Sequence, residues 1–294
     1  MNINIYDVSK KAGVSIATVS RVLNGNTRVS EKTRDKVINA MKELDYTPNV
    51  FARGLGLNTM KTIGIMCIDS SDIYLANAVY YLEQELRKYN YDSILCCTGK
   101  DYNNKKNYLE LLLSKRVDGI ILAGSQFVEN TSKHNNDYII NAAKDVPIVL
   151  VNGYLDADNI YSVMCNDEEA VYNATKLLIN NSHRNIVYLY TSTSYSGMNK
   201  YRGYLKAINE AGITLPDEFH HLCGKNISHA RDYLTYLYDK GMKFDAVMTS
   251  DDSIAAGAVK FAHTHGIRIP EDLEVIGYNN SVLSLCTEPE LTSV

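Results

Sequence analysis

The sequence has little of what several protein classes require. It has only five prolines among 294 residues, and no apolar run approaches the roughly 18 residues of a membrane-spanning helix. Residues 1–4 do not resemble the start of a secretory signal, so none is expected. With 45% hydrophobic and 22% charged residues, the composition also excludes a disordered chain, a collagen-like repeat and a small disulfide scaffold. The sequence therefore predicts a globular protein of about two domains, at roughly 100–200 residues for each.

Motifs for metal, redox and cofactor chemistry are missing as well. The six cysteines have no Cys-x-x-Cys spacing, so we expect reduced, mostly buried thiols of a cytoplasmic protein. His220–His221, His263 and His265 are expected in loops and at helix ends, without a converging set of metal ligands. No Gly-x-Gly-x-x-Gly follows a strand, and no nucleophile–base pair is recognisable by its spacing. We therefore predict no metal, no cofactor and no enzymatic activity.

The charge is distributed unevenly along the chain. Residues 1–60 contain nine Lys/Arg and five Asp/Glu, a net charge of +4, whereas the remainder contains 21 and 29, a net charge of −8. A small basic end on a large acidic body suggests a nucleic-acid-binding module attached to something else. A solvated charged face would give the same pattern.

Three short helices are predicted at the N terminus, over residues 5–12, 16–23 and 30–44. Asn4, Ser15 and Ser30 stand where helix-capping residues are preferred. Apolar residues with helical spacing would form one small core: Val8, Ala12, Val19, Val22, Val37, Met41 and Leu44. The break between the first two helices has the length that a helix-turn-helix uses.

A segment with a low tendency to form a helix follows the third predicted helix. Pro48 prevents that helix from continuing, and residues 49–57 could form about two further turns. Gly54 and Gly56 would each cost such a helix ~1 kcal/mol relative to alanine. We expect this segment to be disordered unless another molecule orders it.

After Lys61 the pattern alternates between short apolar runs and amphipathic stretches. The predicted strands are Ile63–Ile68, Ser93–Cys97, Gly119–Leu122, Ile148–Val151, Ile186–Tyr190, Ala246–Met248 and Val275–Ile276. Examples of the predicted helices are Ala76–Tyr89, Asn104–Leu113, Glu168–Ile179, Tyr201–Ala211 and Ser253–His265. This alternation indicates parallel sheets with right-handed crossovers. We predict two Rossmann-like lobes, with a ligand cleft at the carboxyl ends of the strands.

Residues 5–25, IYDVSKKAGVSIATVSRVLNG, closely resemble the headpiece signature of the lactose/galactose repressor (LacI/GalR) family. The resemblance continues through residues 29–34, 46–49, 116–121, 250–258 and 275–278. It implies an all-α helix-turn-helix headpiece over residues 1–46, a hinge helix or linker over 47–60, and an effector-binding and dimerisation core over 61–294. That core would be an α/β pair of Rossmann-like lobes, similar to periplasmic binding proteins. The implied function is a dimeric repressor on a near-palindromic operator of about 14–18 base pairs.

The second helix is the predicted recognition helix. If Val19 and Val22 face the headpiece core, Ile16, Ala17, Ser20 and Arg21 point outward. Arg21 can donate two hydrogen bonds to a guanine, and small apolar side chains can contact thymine methyl groups. The resemblance assigns sequence readout to Ile16, Ala17 and Arg21, although simple helix packing stays open for the first two. Candidates for phosphate contacts are Tyr6, Ser15, Thr18 and Asn24, with Arg28 as a further candidate for the backbone or a groove.

The hinge is the second element that the resemblance assigns to DNA. Leu55 matches the leucine that enters the minor groove at the operator centre and kinks the duplex. Asn49 and Arg53 would contact the backbone nearby. A plain linker is the alternative.

The resemblance also implies an effector pocket between the lobes, with ordinary polar loop residues as the alternative at each position. The corresponding residues are Tyr74, which would stack on the ligand, and Asn152, Ser196, Lys200, Asp251 and Asn279. Two expected acids are amides here, and Lys200 replaces an expected arginine, before a turn at residues 202–203. Amides bind hydroxyl groups as donor and acceptor at once. A neutral sugar and an anionic ligand facing Lys200 are both consistent with this set.

Two further expectations follow from the resemblance. A catabolite-control-type regulator, which answers mainly to a phosphocarrier protein, shares the headpiece pattern and is the alternative function. Family members also continue beyond the position of Val294 with a further helix and strand. Without these, we expect uncovered apolar surface on the first lobe and an altered dimer or poor solubility.

Overall fold

A computed structural model describes residues 3–25, 27–47, 59–129 and 136–294. The N-terminal helices match the prediction: α1 is Ile5–Ala12, α2 is Ile16–Leu23 and α3 is Glu31–Glu43. The side chains of Asn4, Ser15 and Ser30 accept hydrogen bonds from backbone N–H groups in the first turns of these helices. These caps satisfy donors that a helix start otherwise leaves unpaired.

The three helices enclose a small apolar core. Val8, Val19 and Val37 contribute one fully buried side chain from each helix. Gly13 ends α1 with φ 65°, a left-handed conformation that glycine adopts without strain. The chain can therefore turn sharply between α1 and α2, as a helix-turn-helix requires.

The first lobe is a parallel α/β layer structure. Its elements are β1 (Thr62–Cys67), α4 (Ile73–Lys88), β2 (Asp92–Cys97), α5 (Tyr102–Ser114), β3 (Gly119–Ala123), α6 (Asp137–Ala142), β4 (Ile148–Val151) and β5 (Ile160–Val163). The five strands lie in the order β2-β1-β3-β4-β5. Branched and long apolar side chains such as Ile120, Leu122 and Leu112 fill the space between sheet and helices.

The second lobe repeats this plan. Its elements are α7 (Asp167–Asn180), β6 (Ile186–Tyr190), α8 (Tyr195–Glu210), a 3₁₀ turn (Asp217–Phe219), β7 (His220–Leu222), α9 (Ile227–Asp239), β8 (Ala246–Thr249), α10 (Asp252–His265), β9 (Glu274–Gly277), α11 (Val282–Leu285) and β10 (Thr292–Ser293). The strand order is β10-β9-β8-β6-β7, and every pairing is parallel. Each sheet carries short buried strands, as the apolar runs predicted.

Several sequence predictions need correction. Helix α8 begins at Tyr195 rather than Tyr201, so Ser196 and Lys200 lie in its first turns and not in a preceding loop. The strands β5, β7 and β10 were not predicted, because their sequences, IYSV, HHL and TS, contain no continuous apolar run. His220 and His221 consequently lie in a strand. Three of the six cysteines are exposed, so the expectation of mostly buried thiols is wrong.

Helices α7 and α8 pack unusually closely. A Cβ atom at Gly203 would overlap the carbonyl oxygen of Glu168 in α7. The missing side chain thus allows the two backbones to approach. No helix within the described ranges is long and apolar enough to cross a membrane.

Candidate DNA-binding surface and ligand cavity

The predicted recognition helix presents its predicted face to solvent. Val19 is fully buried, whereas Ile16, Ala17 and Arg21 are exposed, and Ser20 is half-buried. A helix that is anchored on one side by the headpiece core leaves the opposite side available for a groove. The structure thus puts the three predicted base-contacting residues on one outer face.

The residues predicted to contact phosphate flank this helix. Tyr6 at the start of α1 is 67% exposed, and Arg28 is exposed in the loop after α2. The hydroxyl groups of Ser15 and Thr18 are 2.9 Å apart in the first turn of α2, and Asn24 caps its end. The hinge predictions Asn49, Arg53 and Leu55 lie outside the described residues.

A cavity of about 120 Å³ lies between the two lobes. It is lined by segments that follow the carboxyl ends of β1, β3 and β4 in one lobe and of β6, β8 and β9 in the other. This is where open α/β sheets bind ligands. All six residues that the resemblance assigns to the effector line it: Tyr74, Asn152, Ser196, Lys200, Asp251 and Asn279.

Two amides hold other cavity side chains in place. The Asn152 Nδ2 donates to the Tyr74 hydroxyl at 2.6 Å, and the Asn279 Nδ2 donates to Asp251 Oδ2 at 3.0 Å. Both asparagines have positive φ, 57° and 97°, which asparagine tolerates better than most residues. Burial raises the pKa of Tyr74, so its hydroxyl stays protonated.

A buried carboxylate organises the floor of the cavity. Asp167 is 4% exposed and begins α7. It accepts hydrogen bonds from the Tyr278 hydroxyl at 2.5 Å and the Ser196 hydroxyl at 2.6 Å. Burial, followed by the bond to Asp167, raises the pKa of Tyr278. Tyr278 therefore remains a donor to this carboxylate.

Lys200 is a buried cation beside that carboxylate. Its Nζ donates to the Ser250 carbonyl at 3.1 Å and lies 3.5 Å from the centroid of the Tyr278 ring. Lys200 is only 8% exposed. Among the described residues, no carboxylate oxygen lies within 4.0 Å of its Nζ, the limit for an ion pair. Burial lowers the pKa of Lys200 to about 8. Part of the population is thus neutral in mildly alkaline solution.

Lys225 joins the two lobes at the mouth of the cavity. Its Nζ lies 2.6 Å from Asp72 Oδ2 in the first lobe and 3.0 Å from Asp251 Oδ2 in the second. Burial alone would lower the pKa of Lys225, but Asp251 and Asp72 raise it. The Ser125 hydroxyl donates to the Ser194 hydroxyl at 2.9 Å, a second contact between the lobes.

Of the residues that bridge the lobes, only Asp251 was among the six that the resemblance implied. Asp72 could have been found, because it caps α4 directly after the first strand. Lys225 follows β7, whose sequence His-His-Leu contains no apolar run, so its position beside two carboxylates came only from the structure. Asp167 was likewise hidden, as a residue of an ordinary acidic helix start.

The cavity wall is polar and nearly balanced in charge. Asp72, Asp167 and Asp251 face Lys200 and Lys225, three carboxylates against two ammonium groups. Serine and asparagine side chains supply further donors and acceptors. Within the described ranges, no group of three His, Cys, Asp or Glu side chains could hold a metal ion. Such a wall suits a small molecule with several hydroxyl groups.

A helix-turn-helix unit joined to a two-lobed, ligand-cleft core defines a DNA-binding transcriptional regulator with a sugar-binding domain. Residues 4–49 match the family described as bacterial regulatory proteins, lacI family. Residues 60–289 match periplasmic binding proteins and the sugar binding domain of the LacI family. The chain belongs to the LacI family of transcriptional regulators, which are not enzymes.

Similar proteins agree with this assignment. The chain is 56% identical over 291 residues to an HTH-type transcriptional regulator of Lachnoclostridium phytofermentans, covering 99% of this chain and 87% of the relative. It is 33% identical to catabolite control protein A of Priestia megaterium, covering 100% of this chain and 87% of that protein. The fold is similar to the Lac repressor dimer bound to operator and the anti-inducer ONPF, with a TM-score of 0.86 and 24% identity over 100% of this chain and 87% of that one.

Proposed function

We propose that this chain is a cytoplasmic repressor that binds a near-palindromic operator as a dimer and is controlled by a small, neutral, hydroxyl-rich ligand such as a sugar. One observation carries the proposal. The six residues implied for the effector come from separate segments of both lobes, and all of them line one cavity.

The charges of the cavity favour a neutral ligand over an anion. Lys225 is already paired with two carboxylates, and three acids outnumber two lysines on the wall. A ligand phosphate or carboxylate would approach a wall with a net charge of −1. Hydroxyl groups, in contrast, can replace the bonds made by Asn152, Asn279 and the serines without bringing in charge.

Ligand control follows from the position of the cavity. A molecule that contacts both lobes changes the free energy of their relative orientation only if it binds one arrangement better. In the proposed mechanism a change in the relative orientation of the lobes moves the hinges. The DNA contacts of each hinge would be Asn49, Arg53 and Leu55. Whether the ligand releases or tightens DNA depends on which arrangement it prefers.

Readout of DNA is proposed for Ile16, Ala17 and Arg21, with Ser20 on the same outward side of the helix. Phosphate contacts are proposed for Tyr6, Ser15, Thr18 and Asn24, and a backbone or groove contact for Arg28. The exposure of the first three on one face of α2 supports this assignment. The test is selection of preferred sites from random DNA by the purified full chain. We expect a two-fold-symmetric motif with a flexible pyrimidine–purine centre.

Arg21→Ala should reduce affinity for the selected site about 5- to 150-fold, corresponding to ~1–3 kcal/mol, and relax preference at one base pair per half-site. Lys36→Ala, an exposed cation on α3, is the matched control and should keep the motif. If Arg21→Ala keeps the base preference of the wild type, Arg21 does not read a base. Absence of any enriched motif with folded protein would contradict sequence-specific binding by this chain alone.

A second candidate function is regulation by a phosphocarrier protein. The 33% identity to catabolite control protein A over the whole chain supports it. Co-immunoprecipitation with the phosphorylated and unphosphorylated carrier separates the two functions. Binding of the phosphorylated form alone would favour this candidate, and no binding of either form would leave the free ligand as effector.

A further inference from the structure

Two cysteines face each other at the edge of the first sheet. Cys67 ends β1, Cys97 ends β2, and parallel pairing puts them directly opposite each other. Their Sγ atoms are 3.7 Å apart, in contact but not bonded. Neighbouring strands lie about 4.7–4.9 Å apart, within the Cα separations of about 4.4–6.8 Å that disulfides span. A small shift would therefore bring the sulfur atoms to bonding distance.

The two thiols differ in their access to solvent. Cys97 is exposed, whereas Cys67 has no exposed surface. Burial, followed by the contact with Cys97, raises the pKa of the Cys67 thiol to about 12. A reagent from solution therefore meets Cys97 first. Cys96 is buried on the opposite face of the sheet, because side chains alternate along a strand, and it cannot take the place of either partner.

We propose that Cys67 and Cys97 form a redox modification site that a hydroperoxide converts to a disulfide. The Cys97 sulfur attacks one peroxide oxygen, the O–O bond breaks, and the products are a sulfenic acid and one molecule of water or alcohol. The Cys67 sulfur then attacks the Cys97 sulfur, the S–O bond breaks, and the leaving oxygen departs with the Cys67 proton as water. The two thiols lose two electrons, and the peroxide gains them.

This site lies next to the ligand cavity. From Cys67 the chain continues to Ile68 and Asp72, which line the cavity, and Asp72 pairs with Lys225 of the other lobe. The Thr98 backbone N–H donates to the Cys67 carbonyl at 2.9 Å, so the two strand ends are already joined through the backbone. A disulfide would therefore restrain the segment that carries the first lobe's half of the inter-lobe ion pair.

The test exposes the full chain to hydrogen peroxide, blocks remaining thiols with N-ethylmaleimide after unfolding, and identifies products by peptide mass spectrometry. We expect one linked pair of peptides that joins Cys67 to Cys97, while the neighbouring Cys96 carries N-ethylmaleimide. This pair should be about 2 Da lighter than the two peptides together with Cys96 labelled and Cys67 and Cys97 reduced, and dithiothreitol should separate it. Cys97→Ser should lose the linked pair. Cys286→Ser, which removes an exposed cysteine of the second lobe, should keep it.

Two results would overturn the proposal. One is Cys97 oxidised to sulfinic or sulfonic acid while Cys67 still reacts with N-ethylmaleimide. The other is a disulfide between the Cys97 residues of two chains. Because Cys97 is exposed, its serine variant leaves the buried Cys67 packing in place, and the comparison does not depend on a variant that disturbs the core.

Discussion

At the scale of a single residue, Lys200 shows what burial in the cavity does to a charged side chain. Lys200 is 8% exposed, and its ammonium group donates to one backbone carbonyl and lies over the Tyr278 ring. Moving a cation out of water costs free energy unless an anion compensates it. Asp167 lies in the same cavity but is already bonded to two hydroxyl groups. The lowered pKa of Lys200 reflects this incomplete compensation.

The pKa of about 8 predicts a pH dependence of stability. Between this value and the ordinary 10.5, the unfolded chain holds a proton that the folded chain has lost. Stability therefore rises with pH across that window. Relative to Lys200→Met, the wild type should gain about 2 kcal/mol in free energy of unfolding between pH 7 and pH 10.

Urea denaturation at the two pH values measures this difference. Lys115→Met, an exposed lysine, is the control and should follow the wild type. If the free energies of unfolding of the wild type and of Lys200→Met change equally between these pH values, Lys200 does not titrate in this range. Its charge is then compensated in another way.

At the scale of elements, the contact between α7 and α8 determines where the cavity floor lies. Asp167 begins α7, and Ser196 and Lys200 lie in the first turns of α8. Gly203, one turn further along α8, allows the two helices to approach. The bond between Ser196 and Asp167 at 2.6 Å depends on that approach.

Gly203→Ala tests this dependence. In an isolated helix the change would stabilise by ~1 kcal/mol, but here the added methyl group overlaps the Glu168 carbonyl, which is backbone and cannot rotate away. We expect a net loss of about 2 kcal/mol in free energy of unfolding. Gly119→Ala is the control, because its added Cβ would have its nearest neighbours at an ordinary 3.4 Å. Equal stability of the two variants in urea denaturation would contradict tight packing of α7 on α8.

At the scale of the whole molecule, a few polar contacts bridge the lobes at the cavity. Lys225 touches a carboxylate of each lobe, and Ser125 bonds to Ser194. The Lys225 side chain is 41% exposed, so solvent weakens its ion pairs. Such a contact is strong enough to bias lobe orientation and weak enough for a ligand to replace.

Lys225→Met should favour an open arrangement of the lobes. Without the ammonium group, Asp72 and Asp251 face each other uncompensated. We expect a shift of about 1 kcal/mol, roughly a fivefold change in the ratio of open to closed forms. Small-angle X-ray scattering of the full chain without ligand should then give a larger radius of gyration. Scattering curves that coincide with those of the wild type and Lys115→Met would show that other contacts hold the lobes.

Local chemistry made the headpiece and the main strands predictable from the sequence. Capping side chains and helical spacing placed α1, α2 and α3 within a residue or so of their ends. Continuous apolar runs located seven of the strands, since a strand buried on both faces needs no alternation. The resemblance to a known family then placed six candidate effector residues, which all line the cavity.

The tertiary structure alone decided how these residues are connected and charged. Lys225 lies beside Asp72 and Asp251, about 150 and 26 residues away in sequence, only because parallel crossovers bring the carboxyl ends of separate strands to one cleft. Cys67 and Cys97 meet because strand register sets them opposite each other. Sequence periodicity reports which face of an element is buried, whereas a contact between two elements depends on register and crossing geometry. Local pattern carries no information about either.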